Sequence, residues 1–418
     1  MDIVLKENKN RMVKNHLKSM SFSEIALFVL TLLLWTDRIL LTYVRAIMMR
    51  LPIIGFMADY MITAVYVVLI VFSVPRILKC MQIKDLFFVF TTVIICLLNY
   101  LVFPDNTEIL DDLLPNFLFF TFPLYFIGLS LDYEKVFPWM YRLSLVTIAA
   151  FTVYKLFIST PMTDTQSIYQ GDMWGAYNIL PHVCVAALAM LKKPGFINIA
   201  SSVLGILMIS FLGSRGPLFC VVMAIVFYLI FYKKYKKPFL AYSLIVLGGA
   251  SLMMGIDFIM SLLYIISQKT GLSIRIFDKF FEGSFSNSTS RDVIASRLIE
   301  RISENPVLGY GLFSDRMALD TYAHHIVIEL WHSFGVLFGT AVLVGMIVVL
   351  LRAAKVVKKA DEYALLFIPL LFTGFIKLFL SNSFLEEIYL YWLLGIAVNF
   401  IRSSKKNNLT FRDVGVYL

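Results

Sequence analysis

Apolar stretches about as long as a bilayer is thick alternate with short polar breaks along almost the whole chain. A helix needs about 20 predominantly apolar residues to cross a membrane. Windows of that size predict about twelve spans, over 22–43, 57–74, 86–103, 113–130, 137–158, 176–192, 195–212, 216–232, 238–256, 330–351, 363–380 and 387–401. One break is long. Residues 257–329 form a loop, and 284–335 is the only long polar interval of the chain, holding three of the five histidines (His324, His325, His332) and the arginines Arg291, Arg297, Arg301 and Arg316. The expectation is an all-α polytopic membrane bundle, one integral domain over 1–418 with no internal repeat. Its long external loop, 257–329, would contain short helices and carry the candidate active site.

Within that loop, Ser290 followed by RDVIASRLIERISEN and Pro306 predicts a helix. Ser290 suits an N-cap, Asp292 suits the first turn, and Pro306 forbids continuation. Ile294, Leu298 and Ile302 fall on one stripe. Arg297 and Arg301 sit off it, each with a glutamate at i+3 (Glu300, Glu304), as on a salt-bridged outer face. Arg291 differs, because it projects near the apolar stripe and occupies the first turn, where a cation opposes the helix dipole. Past the proline, Gly309 and Gly311 predict a compact turn that folds the loop back on the membrane.

Composition agrees with the pattern. The chain is 59% hydrophobic and only 16% charged, with a mean hydropathy of +0.80, against about 25% charged residues in soluble domains. The net charge of +9 does not point to nucleic acid, since the basic residues cluster in short breaks. These clusters are the N-terminal arm, Arg76/Lys79/Lys84, Lys192/Lys193, 233–237, 352–359 and Arg402/Lys405/Lys406. All fall on one side if both termini are cytoplasmic. The opposite breaks at 104–112, 160–175 and 381–387 contain no Lys or Arg. Arg45 and Arg50 break the rule: either the first span is misplaced or they meet an external anion. The polar start lacks the pattern of a cleavable signal peptide. Cys80, Cys96, Cys184 and Cys220 lie in or beside apolar segments without CxxC spacing, as packing residues do.

Three constellations carry candidate chemistry. Gly213-Ser214-Arg215-Gly216-Pro217 is a tight turn between two spans on the outer side, where basic residues are otherwise avoided. Arg215 there either snorkels to headgroups or meets an anion, for which a diphosphate is suited to the guanidinium fork. Arg291 either pairs with a neighbouring acid such as Asp292 or helps hold an anion at the helix N-terminus. His324 and His325 stand where the tenth span begins, as buried satisfied histidines or as a base or hydrogen-bond donor to phosphate. His325, Glu329 and His332 share a helical face at i, i+4 and i+7, a weak metal pattern without HExxH. Substrate-binding candidates are His325, Glu329, Arg297, Arg301, Arg316 and Arg45.

The SRG turn at 214–216, the run from Arg291 to ENPVLGYGLF and AHHIVIELWHSFG together resemble the O-antigen ligase and polymerase superfamily of bacterial envelope proteins. His324 matches the family's His-Asn-x-x-Leu histidine and Gly335 the glycine about eleven residues after it. His325 replaces the usual Asn and Ile328 the Leu, leaving either histidine as the acting one; the usual Trp after the loop arginine is also missing. The likeness covers roughly 195–400. It implies a metal-independent glycosyltransferase, with no cofactor, acting on undecaprenyl-diphosphate-linked oligosaccharides at the outer face of the bacterial cytoplasmic (inner) membrane. Arg215 and Arg291 would grip the donor diphosphate, and His324 would activate the acceptor hydroxyl or orient the phosphate. A polymerase would extend the chain onto the next lipid-linked repeat, with a chain-length regulator as a candidate partner; a ligase would transfer it to lipid A core. A lipid-linked oligosaccharide flippase is the rival from another class, although transporters tend to keep their functional charges near the midplane and to show related halves.

Overall fold

The computed structural model describes residues 20–36, 58–155, 165–212, 215–232, 290–358 and 361–405. Arg45, Arg50, the 238–256 window and the basic run at 233–237 lie outside them, as does 257–289 of the long loop. Among the described residues every regular element is helical: α1 (Phe22–Thr36), α2 (Ala58–Cys80), α3 (Ile83–Val102), α4 (Thr107–Asn116), α5 (Leu124–Ser130), α6 (Tyr133–Val153), α7 (Thr165–Lys192), α8 (Phe196–Phe211), α9 (Arg215–Phe231), α10 (Ser290–Glu304), α11 (Ser314–Leu319), α12 (Ile326–Val357), α13 (Asp361–Leu370) and α14 (Ile388–Lys405). Among the described residues, six helical segments are long and apolar enough to span a bilayer and four shorter ones are apolar; the expected 238–256 span lies outside them.

Two breaks expected as external loops are partly helical. Residues 107–112 of the 104–112 break fall in α4, because Pro104 and the acids Asp105 and Glu108 suit a helix start and no proline follows before Pro115. The 160–175 break gives way to α7 from Thr165, a run with no proline until Pro181.

Helix α7 is the buried centre. Its inner half runs through Ala176, Ile179, Val183, Cys184, Ala186 and Ala187, all fully buried, and it packs on α6, α8, α9 and α13. Lipid tails are as apolar as leucine, so close approach of small residues, not hydrophobic transfer, holds such helices together. A side chain at Gly395 of α14 would overlap the Tyr125 carbonyl of α5, and one at Gly128 would overlap Trp392. Helices α2, α3 and α12 instead turn Val67, Val68, Leu97, Leu101, Leu337 and Phe338 outward, toward lipid.

The predicted basic clusters that fall on described residues lie toward one end. There Asp85 clasps Arg402 with two contacts of 2.8 Å, Arg76 pairs with Glu24 at 3.0 Å, and Asn198 donates to the Lys193 carbonyl at 2.9 Å. Tyr232 reaches the Ala354 carbonyl at 3.4 Å. The opposite end holds α10, α11 and the turns around them.

Candidate functional site

Helix α10 docks on α12 through Leu298 and Ile302, both buried, the stripe expected from the sequence. Pro306 then ends it, and the chain folds back onto a break in α12. At Gly335 the backbone leaves helical geometry (φ 74°), which frees carbonyls that a continuous helix would occupy. The Tyr310 and Gly311 amides donate to the His332 and Ser333 carbonyls at 2.8 and 3.1 Å, and the Val336 amide donates to the Pro306 carbonyl at 2.8 Å. Only glycine fits at 335: φ is left-handed and a Cβ would overlap the Val307 carbonyl. Asn99 and Asn106 complete the turn's hydrogen bonds, accepting from the Leu312 amide and donating to the Tyr310 carbonyl, both at 2.6 Å.

The guanidinium of Arg291 is half-buried and donates through Nη1 to the Leu380 carbonyl at 2.8 Å. Leu380 belongs to a second irregular stretch. Helix α13 passes through a π-helical turn (Leu371–Phe375) and a 3-10 turn (Ile376–Phe379) before the chain reverses over 380–387 to α14. Three carboxylates hold that reversal. Glu329 accepts from the Ser383 hydroxyl and from the Phe384 amide at 3.0 Å. Glu387 pairs with Lys377, both buried, and takes the Asn382 side chain at 2.6 Å. Glu386 meets Arg316 at 2.9 Å, and the same guanidinium pairs with Asp315 at 3.0 Å.

His324 immediately precedes His325, the N-cap of α12. Its backbone is left-handed (φ 58°), its ring centroid is 4.0 Å from that of Tyr322, and its Nδ1 is buried with no hydrogen-bond partner among the described residues. Burial, then the positive charge of Arg291, pushes its pKa down to about 4, so the resting imidazole is neutral. His325 caps α12 in extended conformation, with its ring edge-on to Phe379 at 5.6 Å. Its pKa is lowered by burial.

The remaining candidates are distributed unevenly. Helix α9 begins at Arg215, whose side chain lies outside the described residues. Its neighbour Gly216 abuts the Tyr177 hydroxyl; that tyrosine is within reach of Ser381 and in the field of Arg291, with Lys377 Nζ 5.3 Å from its ring centroid. Arg297 is exposed, and no ion pair joins it to Glu300. Arg301 lies over the Tyr310 ring at 4.7 Å, and Tyr310 stacks on His332 at 5.0 Å. Ser314 donates to the Gly311 carbonyl at 2.7 Å, so the 2.9 Å contact to His332 Nδ1 has the imidazole as donor. His325, Glu329 and His332 thus turn to different neighbours, and among the described residues no group of three or more His, Cys, Asp or Glu is placed to hold a metal.

Asp315, Lys377, Glu386, Glu387 and Tyr177 were not singled out as site residues from the sequence. Ionisable residues at or near membrane depth were the available signal: Lys377 interrupts an apolar window, and Glu386–Glu387 sits in the 381–387 break. Chemically, the end of the bundle offers a neutral imidazole with an unpartnered nitrogen and a guanidinium close enough to perturb it. These groups suit a proton in transit and an anion respectively.

Residues 200–344 match a family model described as O-antigen ligase. The match contains Arg215, Arg291, the 305–313 turn, His324 and the Gly335 break. No curated protein matches the chain.

Proposed function

We propose, from the match of residues 200–344 to the O-antigen ligase family model, that the chain transfers a glycan from undecaprenyl diphosphate to a second lipid-borne acceptor. The observation that carries this reading is His324 itself, held at positive φ with a buried Nδ1 that meets no hydrogen-bond partner among the described residues. In the transfer, an acceptor hydroxyl attacks the anomeric carbon of the donor, the bond from that carbon to the diphosphate oxygen breaks, and the hydroxyl proton passes to the neutral His324 ring. Arg291 stabilises the charge that builds on the departing diphosphate. Arg215, at the start of the helix beside Tyr177, supplies a second guanidinium to the same anion. Both termini are cytoplasmic and the site faces the periplasm, in line with the basic clusters sharing the opposite end.

The preferred acceptor is the next lipid-linked repeat unit, making the protein a repeat-unit polymerase. The description of the matched family model favours a second reading, transfer to lipid A core by a ligase. A purified-protein assay separates them. Lipid-linked repeats alone are lengthened by a polymerase; a ligase transfers only when lipid A core is added. If neither product forms, while a scrambling assay shows lipid-linked repeats crossing the bilayer, the flippase reading takes over. In a deletion strain, single-repeat glycolipid marks loss of a polymerase, and long chains stranded on the carrier mark loss of a ligase.

A further inference from the structure

His324 is held in a left-handed conformation, which is strained for a non-glycine residue and persists only where its surroundings impose it. It shares the 320–325 segment with a second such residue, Asp320 (φ 53°). The side-chain hydrogen bond that reaches this segment beside the histidine comes from Asp315. That carboxylate is 2% exposed; its Oδ2 accepts the amide of Ala323, the residue immediately before His324, at 2.8 Å. Its Oδ1 pairs with Arg316 Nη1 at 3.0 Å and accepts the Arg316 amide at 3.1 Å. Glu386 takes the other end of the same guanidinium, which ties Asp315 to the reversal whose Leu380 carbonyl receives Arg291. A buried carboxylate fixed at both oxygens is a rigid acceptor, because its own position is set by packing and by charge.

We propose that Asp315 is a positioning residue: through the Ala323 amide it holds His324 in the left-handed conformation that sets where the imidazole stands, while Arg316 and Glu386 hold Asp315. On this view Arg316 serves the histidine through Asp315 and does not itself contact the glycan. The kinetic part of the proposal rests on the transferase reading above; the structural part does not.

The test compares Asp315→Ala with Asp315→Asn, which retains an oxygen to accept the Ala323 amide. In the transfer assay, Asp315→Ala is expected to lower kcat by about 10²-fold, the scale of a displacement of about 1 Å at a reacting group, with KM unchanged. Asp315→Asn is expected to recover most of that rate. Independently of turnover, the rate at which diethyl pyrocarbonate carbethoxylates His324, followed by mass spectrometry, should rise several-fold in Asp315→Ala and stay at the wild-type value in Asp85→Asn, a change at the far end of the bundle. Unaltered kcat, a rise in KM alone, or equal losses in both variants with His324 reactivity unchanged would each overturn the proposal. Should the wild-type protein transfer to neither acceptor, the transferase reading fails. The carbethoxylation rates still decide whether Asp315 holds His324, and unchanged rates refute it.

Discussion

At the end of the bundle that gathers the basic clusters, Asp85 and Arg402 join α3 to α14 through two parallel contacts of 2.8 Å, and both helices stay regular where they do so. At the other end, carboxylates grip amides and turns. Glu329 holds the Phe384 amide, Asp315 the Ala323 amide and Glu387 the Tyr389 amide. The non-glycine residues with positive φ among those described, Phe313, Asp320, His324 and Asn382, all lie at this end, as do the break at Gly335 and the π and 3-10 turns before the 380–387 reversal. Irregular backbone at membrane depth is tolerated only where protein satisfies its polar groups, and here buried acids do so. One end is built for cohesion and the other for placement. Substitutions should therefore separate into those that stop transfer and those that loosen the bundle.

His324→Ala should produce the largest loss and leave the fold alone. Removing a group that moves a proton in the transition state costs about 10²- to 10⁴-fold in kcat, and the thermal midpoint in detergent should not move. The same histidine gives a pH test. With its pKa pushed down to about 4, the free enzyme should show no acidic limb near pH 6.5 in kcat/KM, the ordinary histidine position. A limb there would place the acting imidazole elsewhere. For stability, a folded-state pKa below the unfolded one means that protonation favours the unfolded chain. The contribution of His324 is therefore full above about pH 6.5 and is lost progressively as the pH falls toward 4.

Gly335→Ala should cross the divide and damage both properties. The left-handed φ alone costs about 1–3 kcal/mol, and the new Cβ would overlap the Val307 carbonyl, so the 305–311 turn must move. Transfer is expected to fall at least about tenfold, each 1.4 kcal/mol being worth that factor, together with a lower thermal midpoint. Gly345→Ala, ten residues along the same helix with open space around its Cβ, is the control and should behave as wild type or slightly better. Equal effects at the two glycines would remove the significance of the break.

Much of this division was legible beforehand. The stripe of Ile294, Leu298 and Ile302, the proline stop and the Gly-rich turn predicted α10 and the fold-back, because local propensity and local packing agree there. Hydropathy does not encode where a helix unwinds inside an apolar window, so the Gly335 break and the irregular 371–379 stretch went unpredicted. Nor could spacing show that Glu329 and His332 turn apart despite sharing a face: once the helix breaks at 335, the 3.6-residue period no longer dictates neighbours. Asp315 was invisible for a related reason, since its partner Ala323 contributes only a backbone amide, which no residue pattern marks.

Asp85→Asn probes the cohesive end. It removes one charge from a clasp that also receives the Tyr125 hydroxyl at 3.1 Å, a loss of about 1.5–3 kcal/mol for charge-assisted hydrogen bonds. The expected outcome is a lower thermal midpoint with kcat and KM intact. A fall in kcat without loss of stability would mean that the two ends are coupled through α3 or α14 and would break the comparison.

Arg297→Ala should have the smallest effect and sharpens the boundary of the site. The side chain is exposed on the outer face of α10, and among the described residues no hydrogen bond or ion pair holds it, so stability should stay within about 0.5 kcal/mol of wild type. If the glycan of the donor or acceptor runs along that face, its anionic or polar groups meet a screened surface charge worth about 0.2–1 kcal/mol. KM should then rise by less than about fivefold, kcat should hold, and the difference should fade as added salt shortens the Debye length. A salt-insensitive rise would instead mean a desolvated contact, extending the placing end of the molecule outward along α10. No change at any salt concentration would confine substrate contacts to the inner face, where Arg291 and His324 stand.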